Sequence, residues 1–219
     1  MDVIRRNHRP RQCCLALLLA LVGLLAPLAG ATAAPSIPST PHTPVARPPG
    51  WLKPTNPDPE DYFGQSVAAD GDTLVIGAPG EDSSTTGVNS PPNNLAQAAG
   101  AVYVFGLTGG TWMEQAYLKA SNTDSIDQFG YSVAIDGDTI VVGAPGEDSY
   151  GFDPTNNNVE SAGAVYVFIR DGATWTEQAY LKLPPGQNGR NFAFGKTVAV
   201  DGDTLVVGAP GAHDNLGVA

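Results

Sequence analysis

The sequence predicts an all-β fold of β-propeller blades, each of four antiparallel strands. It holds two complete blades and half of a third, and is expected to be a fragment of a closed propeller. Three observations carry this. A ten-residue stretch occurs three times, as DGDTLVIGAP at Asp70–Pro79, DGDTIVVGAP at Asp136–Pro145 and DGDTLVVGAP at Asp201–Pro210. Phe63-Gly64 returns as Phe129-Gly130 and Phe194-Gly195, at spacings of 66 and 65 residues. GAVYVF occurs at Gly100–Phe105 and Gly163–Phe168, and TWMEQAYLK at Thr111–Lys119 returns as TWTEQAYLK at Thr174–Lys182. Landmarks in fixed order at one period mark a repeat architecture. Four short strands per period, without sustained helical periodicity, are the pattern of a propeller blade.

Taken in order, residues 1–33 read as a secretory signal peptide. Arg5, Arg6, Arg9 and Arg11 precede the apolar run Cys14–Gly30, and Ala31-Thr32-Ala33 supplies a small-x-small cleavage site. Gly23, Pro27 and Gly30 interrupt the run, which falls short of the roughly 20 apolar residues of a spanning helix. Asn7-His8 follows the paired arginines where a twin-arginine signal carries apolar residues. Cys13 and Cys14 stand at the start of the run instead of following it, unlike a lipoprotein signal.

Without the leader the chain has no cysteine, hence no disulfide and no thiolate zinc site. Seven basic residues then face twenty-one acidic ones, which argues against nucleic acid and anionic lipid as partners. Residues 34–59 are dense in proline and poor in large apolar groups, the composition of an extended spacer. Within it, Trp51-Leu52-Lys53-Pro54 aligns with Tyr117-Leu118-Lys119-Ala120, so residues 51–54 are a possible ring-closing strand.

Blade 1 spans residues 60–120, blade 2 residues 121–186 and partial blade 3 residues 187–219. In blade 1 the strands are FGQSVAA, TLVIGAP, GAVYVFGL and WMEQAYLKA. The second and third are near-continuous apolar runs, as in a sheet covered on both faces, and the fourth alternates like an outer strand. The third blade stops after its second strand. This leaves Leu205, Val206 and Val207 on an open edge, so missing blades or further copies are expected to close the ring.

Phe63-Gly64-Gln65-Ser66-Val67-Ala68 with Gly77-Ala78-Pro79 resembles the FG-GAP repeat, the blade unit of integrin α-subunit propellers. Phe129-Gly130 with Gly143-Ala144-Pro145 repeats the pattern. So does Phe194-Gly195 with Gly208-Ala209-Pro210, where Thr197 replaces serine. The resemblance implies a propeller used for extracellular binding, often adhesion. It also raises calcium, through an Asp-rich loop between the first two strands of some blades. Here only Asp70-Gly71-Asp72-Thr73 stands between Ala69 and Leu74, which resembles the shortened, calcium-free variant of bacterial exported proteins.

Asp-Gly between apolar runs favours a two-residue hairpin turn, and so short a loop offers calcium too few of its 6–8 oxygen ligands. Asp pairs repeated around a ring do not share one substrate cleft, so a catalytic role is not expected. Asp171-Gly172-Ala173-Thr174-Trp175 is a near-miss of the sialidase Asp-box, and Trp112 and Trp175 read as packing residues between blades. His213 is the single histidine of the folded part and pairs with no activated nucleophile in the sequence.

The acidic loops after each Gly-Ala-Pro are the better candidates, since variable loops on a regular scaffold are where binding resides. Glu81, Asp82, Asp124, Asp127, Glu147 and Asp148 should share one loop face and form its ligand-binding set. Asp148, Asp153, Asn156 and Glu160 are a lesser calcium reading, and no metal or other cofactor is favoured. The expected function is an exported, non-catalytic protein that binds an extracellular protein or glycan. The alternatives are the scaffold of a secreted carbohydrate-active enzyme whose active site lies in missing blades, or a purely structural envelope module.

Overall fold

In the computed structural model, which describes residues 51–184 and 189–212 and the backbone of Ala16–Ala20, every regular element is a strand. They are β1 (Ala16–Ala20), β2 (Ser66–Asp70), β3 (Thr73–Ala78), β4 (Ala101–Thr108), β5 (Thr111–Leu118), β6 (Ser132–Asp136), β7 (Thr139–Ala144), β8 (Ala164–Asp171), β9 (Thr174–Leu181), β10 (Thr197–Asp201) and β11 (Thr204–Gly208). Two antiparallel four-stranded sheets, β2-β3-β4-β5 and β6-β7-β8-β9, are followed by the β10–β11 hairpin. The units stand side by side, with β2 against β6 and β6 against β10, and they do not close into a ring.

The apolar runs explain the middle strands. Val75, Val102 and Val104 of the first unit share one core with Phe129, Ile140, Tyr166, Phe168 and Trp175 of the second. Trp175 is therefore an inter-unit packing residue. Its counterpart Trp112 lies partly buried on the outer core of the first unit, with Phe63, Tyr103 and Phe105. Phe129 meets Tyr166 and Phe168 edge-on at 5.2 and 6.0 Å, while its backbone nitrogen donates to Ala99 O of the preceding unit at 3.0 Å. Burying such a ring contributes about 1.5–3 kcal/mol.

The Phe-Gly and Gly-Ala-Pro motifs meet across the unit boundary. Ser66 Oγ donates to Gly130 O and Ser132 Oγ to Gly195 O, each at 2.7 Å. A Cβ on Gly77 would lie 2.0 Å from Gly130 O, and one on Gly143 1.9 Å from Gly195 O. Glycine at these positions is what allows neighbouring units to approach.

Three expectations are corrected. The hairpin loop is Gly71-Asp72, one residue later than Asp-Gly, because Asp70 stays in the ladder opposite Thr73. Only the glycine has positive φ (51°), the arrangement of a turn with glycine at its first central position. Residues 51–54 form no strand. In the uncleaved chain the edge of β11 is not open, since Ala16–Ala20 from the leader pairs with it antiparallel, from Ala16 opposite Gly208 to Ala20 opposite Thr204, and cleavage of the leader would bare that edge. This apolar segment takes the place that β4 and β8 hold in the other units, where it supplies the backbone partners an edge strand lacks. The rest of the leader, the spacer to residue 50 and His213 lie outside the described residues.

Candidate functional site

Strand direction decides which loops share a face. β3 and β5 run the same way, so residues 79–100 and 119–131 leave from one end, and 145–163, 182–184 and 189–196 do the same. Hydrogen bonds join these segments. Ile126 N donates to Gln97 O at 2.8 Å, Asn157 Nδ2 to Asp124 Oδ2 at 2.5 Å and Asn191 N to Glu160 O at 2.9 Å.

The six acids expected to bind a ligand there do not act as one exposed rim. Glu81, Asp127 and Glu147 are buried. Glu81 accepts from Lys119 Nζ at 3.0 Å, Ser83 N at 3.1 Å, Asn56 Nδ2 at 3.4 Å and also from Ser83 Oγ. Glu147 accepts from Ser149 N at 3.1 Å, Asn122 Nδ2 at 2.9 Å and Tyr180 OH at 3.0 Å, and from Ser149 Oγ and Lys182 Nζ. The physical reason is charge. Buried lysines just past the ends of the outer strands need a buried acid, and these glutamates supply it. Burial lowers both lysine pKa values, opposed by the facing carboxylates.

Asp127 accepts from Asp124 N at 2.8 Å and faces Glu147, Asp124 and Asp148. Burial, reinforced by these like charges, pushes its pKa up to about 8. Asp61, at the same position before the first unit, is raised for the same reason. Asp82 and Asp148 are half-buried and pin their own loops, through Ala98 N at 2.7 Å and Ser161 N at 3.4 Å. Asp124 alone of the six is exposed.

The four calcium candidates do not converge. Asp153 accepts from Thr155 N and Oγ1, Asn156 Oδ1 accepts from Asn158 Nδ2, and Glu160 pairs with Arg190 at 3.3 Å. Among the described residues no three His, Cys, Asp or Glu side chains are grouped to hold a metal ion. The first aspartate of each Asp-Gly-Asp reaches the next unit instead. Asp70 Oδ2 accepts from Gly137 N at 2.8 Å and Asp136 Oδ2 from Gly202 N at 2.6 Å, at the end opposite the variable loops.

Beside its exposed polar groups, the loop end presents apolar side chains. Leu95 and Phe152 are 80% and 62% exposed, and Ile126 and Tyr150 are exposed as well. Ile126 holds φ at 72°, a conformation disfavoured for a β-branched residue by about 1–3 kcal/mol. Sequence reasoning missed these residues because they lie where the copies disagree. It also missed the partners of Glu81 and Glu147: half-buried Asn56 with buried Ser83 and Lys119, and half-buried Asn122 with buried Ser149 and Lys182. Their signal was available, since a lysine that follows Ala-Tyr-Leu just past the outer strand of both complete units calls for an acid.

A comparison with protein families matches the FG-GAP repeat over residues 52–105, 112–168 and 175–219. The chain belongs to this family. No curated protein matches the chain.

Proposed function

We infer that this member of the FG-GAP repeat family is an exported, non-catalytic binding protein. It takes an extracellular protein or glycan on its loop end, as an adhesion module does. The observation that carries the reading is the contrast between an almost identical scaffold and unlike loops that expose Leu95, Ile126, Tyr150 and Phe152. Each such side chain covered by a partner contributes about 1.5–3 kcal/mol. The basic, apolar and small-residue order of the leader supports export. No helix among the described residues is long and apolar enough to cross a membrane.

The test is interferometry of the protein against a panel of polysaccharides and extracellular-matrix proteins, repeated with Leu95→Ser/Phe152→Ser. Binding that falls at least tenfold in the variant is expected, about 1.4 kcal/mol or more. Binding to no panel member, or equal binding by the variant, overturns the reading. Chain shortening of any panel polysaccharide would overturn its non-catalytic part.

A further inference from the structure

The outer strands β5 and β9 end alike in sequence, as Ala116-Tyr117-Leu118-Lys119 and Ala179-Tyr180-Leu181-Lys182, but they differ in what covers them. In the first unit the loop after β3 lies along the free edge of β5. Asn89 N donates to Tyr117 O at 2.7 Å, Lys119 N to Gly87 O at 3.0 Å and Tyr117 N to Asn89 Oδ1 at 2.9 Å, with Val88 opposite Leu118. Gly87-Val88-Asn89 thus acts as a short fifth strand, and Ala116, Tyr117 and Leu118 beside it are buried.

The second unit lacks this cover. Its loop runs 17 residues from Gly146 to Ala162, against 20 from Gly80 to Ala99. It turns back on itself, with Tyr150 N donating to Asn156 O at 2.8 Å and Asn156 N to Asp153 O at 3.2 Å. Ala179, Tyr180 and Leu181 are only half-buried. The register of β9 on β8 repeats that of β5 on β4, so Tyr180 N, Tyr180 O and Lys182 N point outward. Among the described residues nothing bonds them. An edge with open donors and acceptors is a template for an added strand. The charge around it is negative. β9 and the loop beside its end carry Glu177, Asp148 and Asp153, while the nearby bases Lys182 and Arg190 are held on Glu147 and Glu160.

We propose that the edge of β9 at residues 180–182 docks an extended peptide segment of a protein partner, small and β-branched at its centre and basic at its flanks. Such a segment adds a fifth strand to the second unit, as Gly87-Val88-Asn89 does to the first. Its backbone accepts from Lys182 N and donates to Tyr180 O, and an asparagine side chain accepts from Tyr180 N. The surrounding acids favour lysine or arginine on either side. This site is separate from the exposed apolar loop residues, so failure here leaves the loop-end reading to its own panel, and the reverse.

Fluorescence anisotropy of the intact natural protein tests this, with a labelled synthetic peptide of residues 85–90 bearing an added lysine at each end. Saturable binding is expected. Methylating the backbone nitrogen of the peptide's asparagine, which must donate to Tyr180 O, should weaken binding at least tenfold. Methylating that of its valine, which points away from the edge, should change it less than about threefold. Glutamates in place of the end lysines should weaken it about tenfold. Bound peptide should slow hydrogen exchange at Tyr180 N and Lys182 N about tenfold or more. No binding, equal loss from the two methylations, equal binding by the glutamate-ended peptide or unchanged exchange overturns the proposal. So does slow exchange of these two amides before peptide is added. If independent of concentration, it would place another segment of this chain on the edge, and if it deepens with concentration, a second copy.

Discussion

After β7 the chain turns through Gly146-Glu147, and Glu147 gathers Lys182, Ser149, Asn122 and Tyr180 around one buried carboxylate. After β11 the same turn is made by Gly211-Ala212, with the same backbone hydrogen bonds and no acid. The exchange extends to the connecting segment. Gly146 N donates to Asp127 O and Gly211 N to Phe192 O, so Phe192 stands where Asp127 stands, packed in a core with Phe194 and Val207. The difference teaches that the polar group is held or dropped as a set. A buried lysine without its glutamate is strongly unfavourable, whereas an apolar replacement of all members can be nearly neutral.

The largest effect should come from breaking the set in the second unit. Glu147→Ala strands Lys182 and should cost about 3–5 kcal/mol in denaturant unfolding, with Glu147→Ala/Lys182→Met recovering most of it. A loss in the double variant equal to the single one would remove the ion pair from the account.

The unit boundary gives the next contrast. Gly143→Ala drives a Cβ to 1.9 Å from Gly195 O, whereas in Gly208→Ala the nearest atom is the Thr197 side-chain oxygen at 2.3 Å. Backbone cannot yield as a hydroxyl can, so Gly143→Ala should cost about 1–3 kcal/mol or more and Gly208→Ala clearly less, measured by thermal unfolding. Equal losses would mean that the motif glycines are not kept for the approach of the next unit.

Asp127 sharpens the comparison through pH. Its folded pKa, about 8, lies above the ordinary 3.8, so the folded state binds more protons than the unfolded state between these values. Its contribution to stability is complete below about pH 4 and lost as pH rises to about 8, at up to about 1.4 kcal/mol per pH unit. Asp127→Asn should flatten that slope and be the more stable form at pH 8 and above. An unchanged slope would show that Asp127 ionises normally.

The smallest effect concerns one hydrogen bond. Ser132→Ala deprives Gly195 O of its side-chain donor and should cost about 1 kcal/mol, while Thr197→Ala should cost less, as no following unit is described.

Much of the fold was legible because a repeat states each element more than once. Strand order, the buried middle strands and the alternating outer strands follow from TLVIGA, AVYVFGLT and TWMEQAYL as written. The site was less legible. Glu81 and Glu147 look like loop acids from their neighbours Asp82 and Asp148, yet adjacent residues in an irregular turn point to different surroundings. The leader strand on β11 could not be read at all, because edge pairing follows backbone vacancy, not side-chain pattern.

The sequence by itself determined that the chain repeats, that each repeat is a small sheet, and where copies agree or diverge. These are local properties, set by periodicity, turn chemistry and the identity of residues at fixed offsets. Only the tertiary structure decided which acids meet lysines, which aspartates bridge to the next unit and which apolar loop residues remain in solvent. Charge pairing and burial depend on residues tens of positions apart, such as Glu81 with Lys119 and Asp70 with Gly137, which are brought together by strand order.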